Sequence, residues 1–177
     1  EGDAAEGCTA EGCAAEGCTA EGCCFVANEK VLTPQGYTHI QNIVSGDRVV
    51  SYDEEREMFV ESVVGKVMIH DGKQLGFANF AKDALVELSV RIGTEEIKTK
   101  VTENHRFFDA ESKRYKQLRK FAEGSKVRTN QGVGTIAGIR PVLDSTTAEH
   151  NQIVYNLEMS SGPHNYLVNG VVVHNGK

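Results

Sequence analysis

The chain has 177 residues and a formal net charge of −6 at pH 7, with 40% apolar residues, 25% charged residues and no tryptophan. That is enough for one domain with a core, and too apolar for wholesale disorder. No apolar run approaches the ~20 residues of a membrane-crossing helix, and the acidic start, Glu1-Gly2-Asp3, does not read as a signal peptide, so neither a membrane partner nor a leader is expected.

The excess charge sits at the start. Residues 1–23 carry Glu1, Asp3, Glu6, Glu11, Glu16 and Glu21 and no base, while the remainder balances 19 acids against 19 Lys and Arg. A neutral body argues against nucleic-acid binding, which needs a net basic face. The stripe Lys113, Arg114, Lys116, Arg119, Lys120 reads as a solvated face. All five cysteines, Cys8, Cys13, Cys18, Cys23 and Cys24, fall in the first 24 residues, so no disulfide network staples the body.

Residues 1–25 are five pentads, EGDAA, EGCTA, EGCAA, EGCTA and EGCCF. A period of five suits neither helix nor strand, and nothing large and apolar appears before Phe25. Residues 1–23 therefore read as a flexible repeat tail. Its thiols could bind soft metals or be modified, although their spacing differs from the usual zinc knuckle.

From Phe25 onward short β-rich runs alternate with turn signals. Val31–Thr33 precedes Pro34-Gln35-Gly36. Arg48–Tyr52, Phe59–Met68, Ala84–Ile92, Ile97–Val101, Gly134–Ile139 and Ile153–Met159 follow. Such spacing predicts an all-β sandwich or barrel-like body. Short helical turns fit His39–Val44 and Lys116–Ala122, and Asp71–Lys82 reads as a loop. Tyr37, Ile40, Ile43, Gly46 and Val49 recur, 78 residues later, as Tyr115, Leu118, Phe121, Gly124 and Val127. The recurrence predicts two similar β-units related by a pseudo-twofold axis. Near the end, Tyr166–Val173 reads as a hairpin with a type I′ turn at Asn169-Gly170, and its second strand runs into His174-Asn175.

Four separated pieces carry chemistry: Cys24 at the start of the body, Thr102-Glu103-Asn104-His105 after a strand, His164-Asn165-Tyr166 at the opening of the hairpin, and His174-Asn175 at its close. With Ile43–Val49, Val154–Glu158 and Val171–Asn175 they resemble, in order and terminal spacing, the sequence blocks of inteins. The resemblance is closer still to bacterial intein-like domains of the Hedgehog/intein (Hint) superfamily. It spans 24–175, without room for the endonuclease that larger inteins carry.

The resemblance implies a Hint-type horseshoe of two β-subdomains over 24–175, with 1–23 and 176–177 as flanks, and autocatalytic processing in cis. Cys24 would attack the Cys23 carbonyl and turn that peptide bond into a thioester, an uphill N-to-S acyl shift. His105 would protonate the departing amine, and Thr102 would hold the amide polarised or strained. At the other end the Asn175 side chain would cyclise to a succinimide and release Gly176. His174 would polarise the Asn175 carbonyl or protonate the leaving amine, and His164 would assist. His39, His70 and His150 fall outside the blocks and read as surface residues.

Two departures from the family pattern matter. Gly176 stands where a splicing intein has Cys, Ser or Thr, so separate N- and C-terminal cleavage is expected, with at most inefficient ligation. Asn156 stands where the family often has an acid. No cofactor or resident catalytic metal is expected. A zinc ion bridging Cys24 and a site histidine would inhibit, and a disulfide between Cys24 and Cys18 or another tail thiol would block the reaction. The substrates are the chain's own flanks, an external thiol or amine could intercept the thioester, and a monomer is expected. A Hedgehog-like transfer to an external nucleophile, or a non-catalytic β-domain bearing a thiol-rich metal-binding tail, are the alternatives. The compartment is left open.

Overall fold

The computed structural model describes residues 23–71, 85–142 and 153–176. The expectations for the 1–22 repeat, for most of the 71–82 loop and for His150 lie outside them. Within them the chain is almost entirely β. The strands are β1 (Phe25–Val26), β2 (Lys30–Thr33), β3 (Gly36–His39), β4 (Arg48–Asp53), β5 (Met58–Asp71), β6 (Leu85–Ile92) and β7 (Glu95–Thr102). They continue with β8 (Arg106–Asp109), β9 (Arg114–Gln117), β10 (Lys126–Thr129), β11 (Gly132–Pro141), β12 (Ile153–Met159), β13 (Asn165–Val168) and β14 (Val171–His174). All pair antiparallel, in the order β3-β2-β13-β14-β8-β10-β11-β6-β7-β1-β12-β5-β4, with β9 on β8.

The long, apolar strands follow the sequence pattern, and Ile153–Met159 coincides with β12. The short strands β8, β9 and β10 did not stand out. Arg114–Gln117 (RYKQ) and Lys126–Thr129 (KVRT) are mostly polar; β9 is held by a hairpin with β8, and β10 by β11, β8 and the distant β14. Residues 116 and 117, expected to open a helical turn, instead end β9. The turn is a single 3-10 turn over Leu118–Lys120, matched by another over Ile40–Asn42.

The 78-residue recurrence reappears as a repeated hydrogen-bond pattern. Ile40 and Leu118 open the two 3-10 turns and are both fully buried. Ile43 and Phe121 each donate a backbone N–H back to that opening residue. Gly46 and Gly124, at φ 95° and 91°, each donate across to the next long strand, at Val64 and Ile136. A side chain would be strained at that φ, which explains why glycine recurs there. One core joins the halves, with Phe25, Val49, Leu88, Val101, Phe107, Val127, Leu157 and Tyr166 in it.

The last hairpin is built as its turn demands. Asn169 and Gly170 both have positive φ, 51° and 84°, the geometry of a type I′ turn. β13 and β14 pair from Val168↔Val171 to Asn165↔His174, so the hairpin delivers His174 and Asn175 at its open end. Asn165 then ties the two ends of the sheet order together. Its side-chain oxygen accepts the Tyr52 N–H at 2.7 Å, and its amide donates to the Tyr52 carbonyl at 2.8 Å and to the Tyr115 hydroxyl at 2.9 Å. A side-chain amide here does for β4 what a neighbouring strand would do.

Candidate active site

Strand register brings the two candidate junctions to the middle of the fold. β1 lies between β7 and β12, through Phe25↔Val101 and Phe25↔Tyr155. This places Cys24 beside Thr102, 78 residues away, the spacing of the internal repeat. Cys23 and Cys24 are buried with Val26, Leu85, Val142 and Val154.

Thr102 grips the Cys23–Cys24 peptide at both ends. Its hydroxyl accepts the Cys24 N–H at 2.6 Å and donates to the Cys23 carbonyl oxygen. The Thr102 backbone N–H donates to the Cys24 carbonyl at 3.0 Å. One side chain thus touches both polar atoms of the peptide that the sequence marks for attack. The Cys23 and Cys24 sulfurs lie against each other. Cys24 can attack only as a free thiol, so any disulfide it forms must be reduced first.

His105 is fully buried, with Phe25 at 4.5 Å and Phe107 at 5.8 Å between ring centroids. Its Nε2 lies 3.0 Å from the His174 carbonyl oxygen. A carbonyl only accepts, so Nε2 carries the proton, and the neutral ring keeps a lone pair on Nδ1. Burial lowers the His105 pKa to about 3, against the opposing pull of the His174 and Cys23 backbones within hydrogen-bonding reach.

At the second candidate junction the backbone is held on both sides. Asn175 N–H donates to the His164 carbonyl at 2.8 Å, and Gly176 N–H to the Leu157 carbonyl at 2.8 Å. The His174 ring lies with Nδ1 2.9 Å from the Asn175 carbonyl oxygen, which is the oxygen of the Asn175–Gly176 bond. Nδ1 must be the protonated nitrogen for that contact to be a hydrogen bond. Burial lowers the His174 pKa to about 4; the Asn175 backbone opposes this, and Arg106 and His164 add to it. The ring also meets Tyr115 edge-on at 4.8 Å. Asn175 is fully buried.

Five of the six sequence-predicted residues, Cys24, Thr102, His105, His174 and Asn175, therefore converge. His164 is placed differently. Its backbone carbonyl positions Asn175, while the residue itself is exposed just before β13.

Four other residues line the candidate site. Tyr115 packs on His174 and donates from its hydroxyl to Glu54 at 2.6 Å. Its partner in the 78-residue repeat, Tyr37, marked the position but not the contact. Asn156 is buried, and its side-chain oxygen accepts the Tyr166 hydroxyl at 2.5 Å and the Leu157 N–H at 2.8 Å. Met68 pairs with Asn156 in register, and its terminal methyl fills the place where any side chain at position 176 would begin. His70, expected on the surface, is half-buried and stands beside the Cys23 and Cys24 sulfurs. Its strand, β5, is longer than the apolar pattern suggested and carries it inward past Met68.

No protein-family model and no curated protein matches the chain. Solved structures do. A bacterial intein-like domain from Clostridium thermocellum is 25% identical, with TM-score 0.66 over 86% of this chain and 98% of that one. A DnaB intein from Synechocystis sp. PCC 6803 is 17% identical, with TM-score 0.65 over 87% and 99%. The gp41-1 intein is 19% identical, with TM-score 0.62 over 86% and 98%. The chain has the all-β fold of the intein/Hint type. The similarities below 25% identity carry the fold.

Proposed function

We propose that the chain is a self-processing domain whose substrates are its own flanks, with 24–175 as the active unit and 1–23 and 176–177 as the segments released. In the reduced chain the Cys24 sulfur attacks the Cys23 carbonyl carbon. A carbon–sulfur bond forms, the Cys23–Cys24 carbon–nitrogen bond breaks, and the thiol proton ends on the Cys24 amine. His105 is neutral at rest, so it first takes that proton on Nδ1 and then hands it to the amine, a base-then-acid relay. Thr102 polarises the carbonyl from one side and leaves the nitrogen its hydrogen-bond partner as it becomes an amine. Water or an external thiol or amine then cleaves the thioester.

At the other end the Asn175 side-chain nitrogen attacks its own backbone carbonyl. A succinimide forms, the bond to Gly176 breaks, and the proton lost by the side chain is gained by the Gly176 amine. His174 Nδ1–H polarises the attacked carbonyl. Gly176 offers no side-chain nucleophile, so the two cleavages run separately rather than as a splice.

The observation that carries this reading is the Thr102 hydroxyl on both polar atoms of the Cys23–Cys24 peptide. Intact mass over time in reducing, chelator-treated buffer tests it, in the native chain and in Cys24→Ala and Asn175→Ala. Loss of 1–23 that needs Cys24 and is accelerated by added thiol is expected. So is loss of the residues after Asn175 that needs Asn175. A folded, reduced chain whose mass never changes would refute the proposal.

A further inference from the structure

The backbone around Asn175 is held by nearby residues, but that backbone does not fix the His174 ring. Among the described residues the ring has two neighbours of defined geometry. The Asn175 carbonyl oxygen lies 2.9 Å from Nδ1, and the Tyr115 ring stands edge-on at 4.8 Å and 79°. Approach directions at a carbonyl oxygen are broadly tolerated, so one hydrogen bond leaves the ring plane free to pivot. The second contact sets the plane. Register explains the meeting. Val173 lies opposite Phe107, and Phe108 opposite Tyr115. One residue along from the Val173–Phe107 pair, His174 and Phe108 both turn to the other face, which is also the face of Tyr115.

Tyr115 is itself mounted on three sides. Its hydroxyl donates to Glu54 Oε2 at 2.6 Å and accepts from Asn165 Nδ2 at 2.9 Å, and its ring meets Phe108 at 5.3 Å. Asn165 is locked in turn by the Tyr52 N–H and carbonyl. Burial, and then the Glu54 carboxylate, push the Tyr115 hydroxyl far above its ordinary pKa, so it remains a donor at neutral pH. The internal repeat supplies a counterpart. Tyr37, 78 residues earlier, places its hydroxyl beside Asn130 and Gly170, at the turn end of the β13–β14 hairpin. The repeat thus sets one tyrosine at each end of that hairpin, and the Tyr115 end is the one that delivers His174 and Asn175.

We propose that Tyr115, mounted on Glu54 and Asn165, is the positioning residue that holds the His174 ring with Nδ1–H on the Asn175 carbonyl and so sets the rate of Asn175 cyclisation. The consequence for rate rests on the processing reading of that step. Without the tyrosine the ring turns away and takes the other tautomer, because the tautomer follows the hydrogen bonds that the ring makes. The Asn175 carbonyl then loses its polarising group. Tyr115 acts through His174, so loss of 1–23 is spared.

The test uses the full chain under reducing conditions, with intact mass reporting each cleavage. Tyr115→Leu should slow loss of Gly176-Lys177 by about 10-fold to 100-fold, the scale of a small misplacement near the reacting atoms. Tyr115→Phe keeps the ring and loses its mount, and should slow the same step about 5-fold, the scale of one net hydrogen bond. It differs from the parent by a single oxygen and carries the test if Tyr115→Leu fails to fold. Loss of 1–23 should keep the parent rate in both. Glu54→Ala should slow release of Gly176 too, and adding it to Tyr115→Phe should cost nothing more, because the two act through one contact. Glu54→Gln, which still accepts the hydroxyl, should restore most of the rate. NMR of 15N-labelled histidine, in the chain carrying Cys24→Ala and Asn175→Ala, gives a second readout. His174 should be protonated on Nδ1 there, and Tyr115→Leu should shift it toward Nε2.

Unchanged release of Gly176 in both tyrosine variants of a chain that cleaves, equal slowing at both junctions, or an unmoved His174 tautomer in Tyr115→Leu would each overturn the proposal. A chain that never cleaves, yet whose His174 tautomer follows Tyr115, would keep the positioning role and sink the processing reading instead.

Discussion

The Cys23–Cys24 peptide is gripped by residues far away in sequence, whereas the Asn175–Gly176 peptide is held by nearer ones, His164 at the opening of its own hairpin and Leu157 in β12. Thr102 and His105 reach the first junction only because β1 inserts between β7 and β12. The second needs only the β13–β14 hairpin, the preceding His164 carbonyl and the Leu157 carbonyl. Burial differs less than origin, since Cys24 and Asn175 are both sealed from solvent. Long-range assembly makes the first junction dependent on the finished fold. Local assembly makes the second robust. One atom pair joins them, His105 Nε2 and the His174 carbonyl oxygen.

Oxidation should separate the junctions most sharply. With Cys24 oxidised to a disulfide with a neighbouring tail thiol, loss of 1–23 should stop entirely while release of Gly176 continues. Intact mass with and without a dithiol reductant reads this, and equal loss of 1–23 in both samples would break the comparison. Next in size, His105→Ala should slow the first cleavage by about 100-fold or more, in the range of a lost general acid–base group. The second should slow only several-fold, through its lost contact with the His174 carbonyl. Equal slowing at both ends would mean that His105 acts through the fold alone.

Thr102→Val removes the hydroxyl and leaves the Cys24 N–H and the Cys23 carbonyl buried without that partner. A stability loss of about 1–3 kcal/mol is expected, with slower loss of 1–23, unchanged release at Asn175 and substantial rescue by Thr102→Ser. Urea unfolding and intact mass on the same samples check it.

Acid should act through both histidines. A histidine whose folded pKa is depressed binds its proton more readily when unfolded, so stability is full above pH 6.5. It declines as pH falls toward the folded values, about 3 for His105 and about 4 for His174. At pH 4.5 the loss should be about 3 kcal/mol from the enclosed His105 and slightly less from His174. It should vanish for the His105 share in a folded His105→Gln variant, and a flat stability between pH 6.5 and 4.5 would contradict it. The smallest effect belongs to the hairpin turn. Gly170→Ala meets a positive φ of 84° and the Asn130 side chain. It should cost about 1 kcal/mol, slowing the second cleavage before the first.

Much of this was legible in the sequence wherever a local rule applied. The Asn169-Gly170 turn, the long apolar strands and the 78-residue recurrence follow from patterns that neighbouring residues enforce. The catalytic candidates were legible through their resemblance to family blocks, not through their spacing alone. What stayed hidden depends on register between distant strands. His70 looked like a surface residue because nothing near it in sequence says that β5 runs three residues beyond Met68 and that β12 sets it beside Cys24. Asn165 appeared only as part of a block, yet its amide completes the edge of β4. The polar strands β9 and β10 carry no β pattern of their own, because neighbours supply what their side chains do not.

The Met68 methyl beside Gly176 bears on use as well as chemistry. A slot with no space for a β-carbon admits glycine most readily as the first residue of whatever follows. A payload joined there would be freed with a plain glycine at its new amino end and no reactive thiol or hydroxyl left behind. Because the obstruction is the tip of a flexible side chain rather than backbone, trimming residue 68 would widen the choice of leaving sequence without touching the residues proposed to cleave.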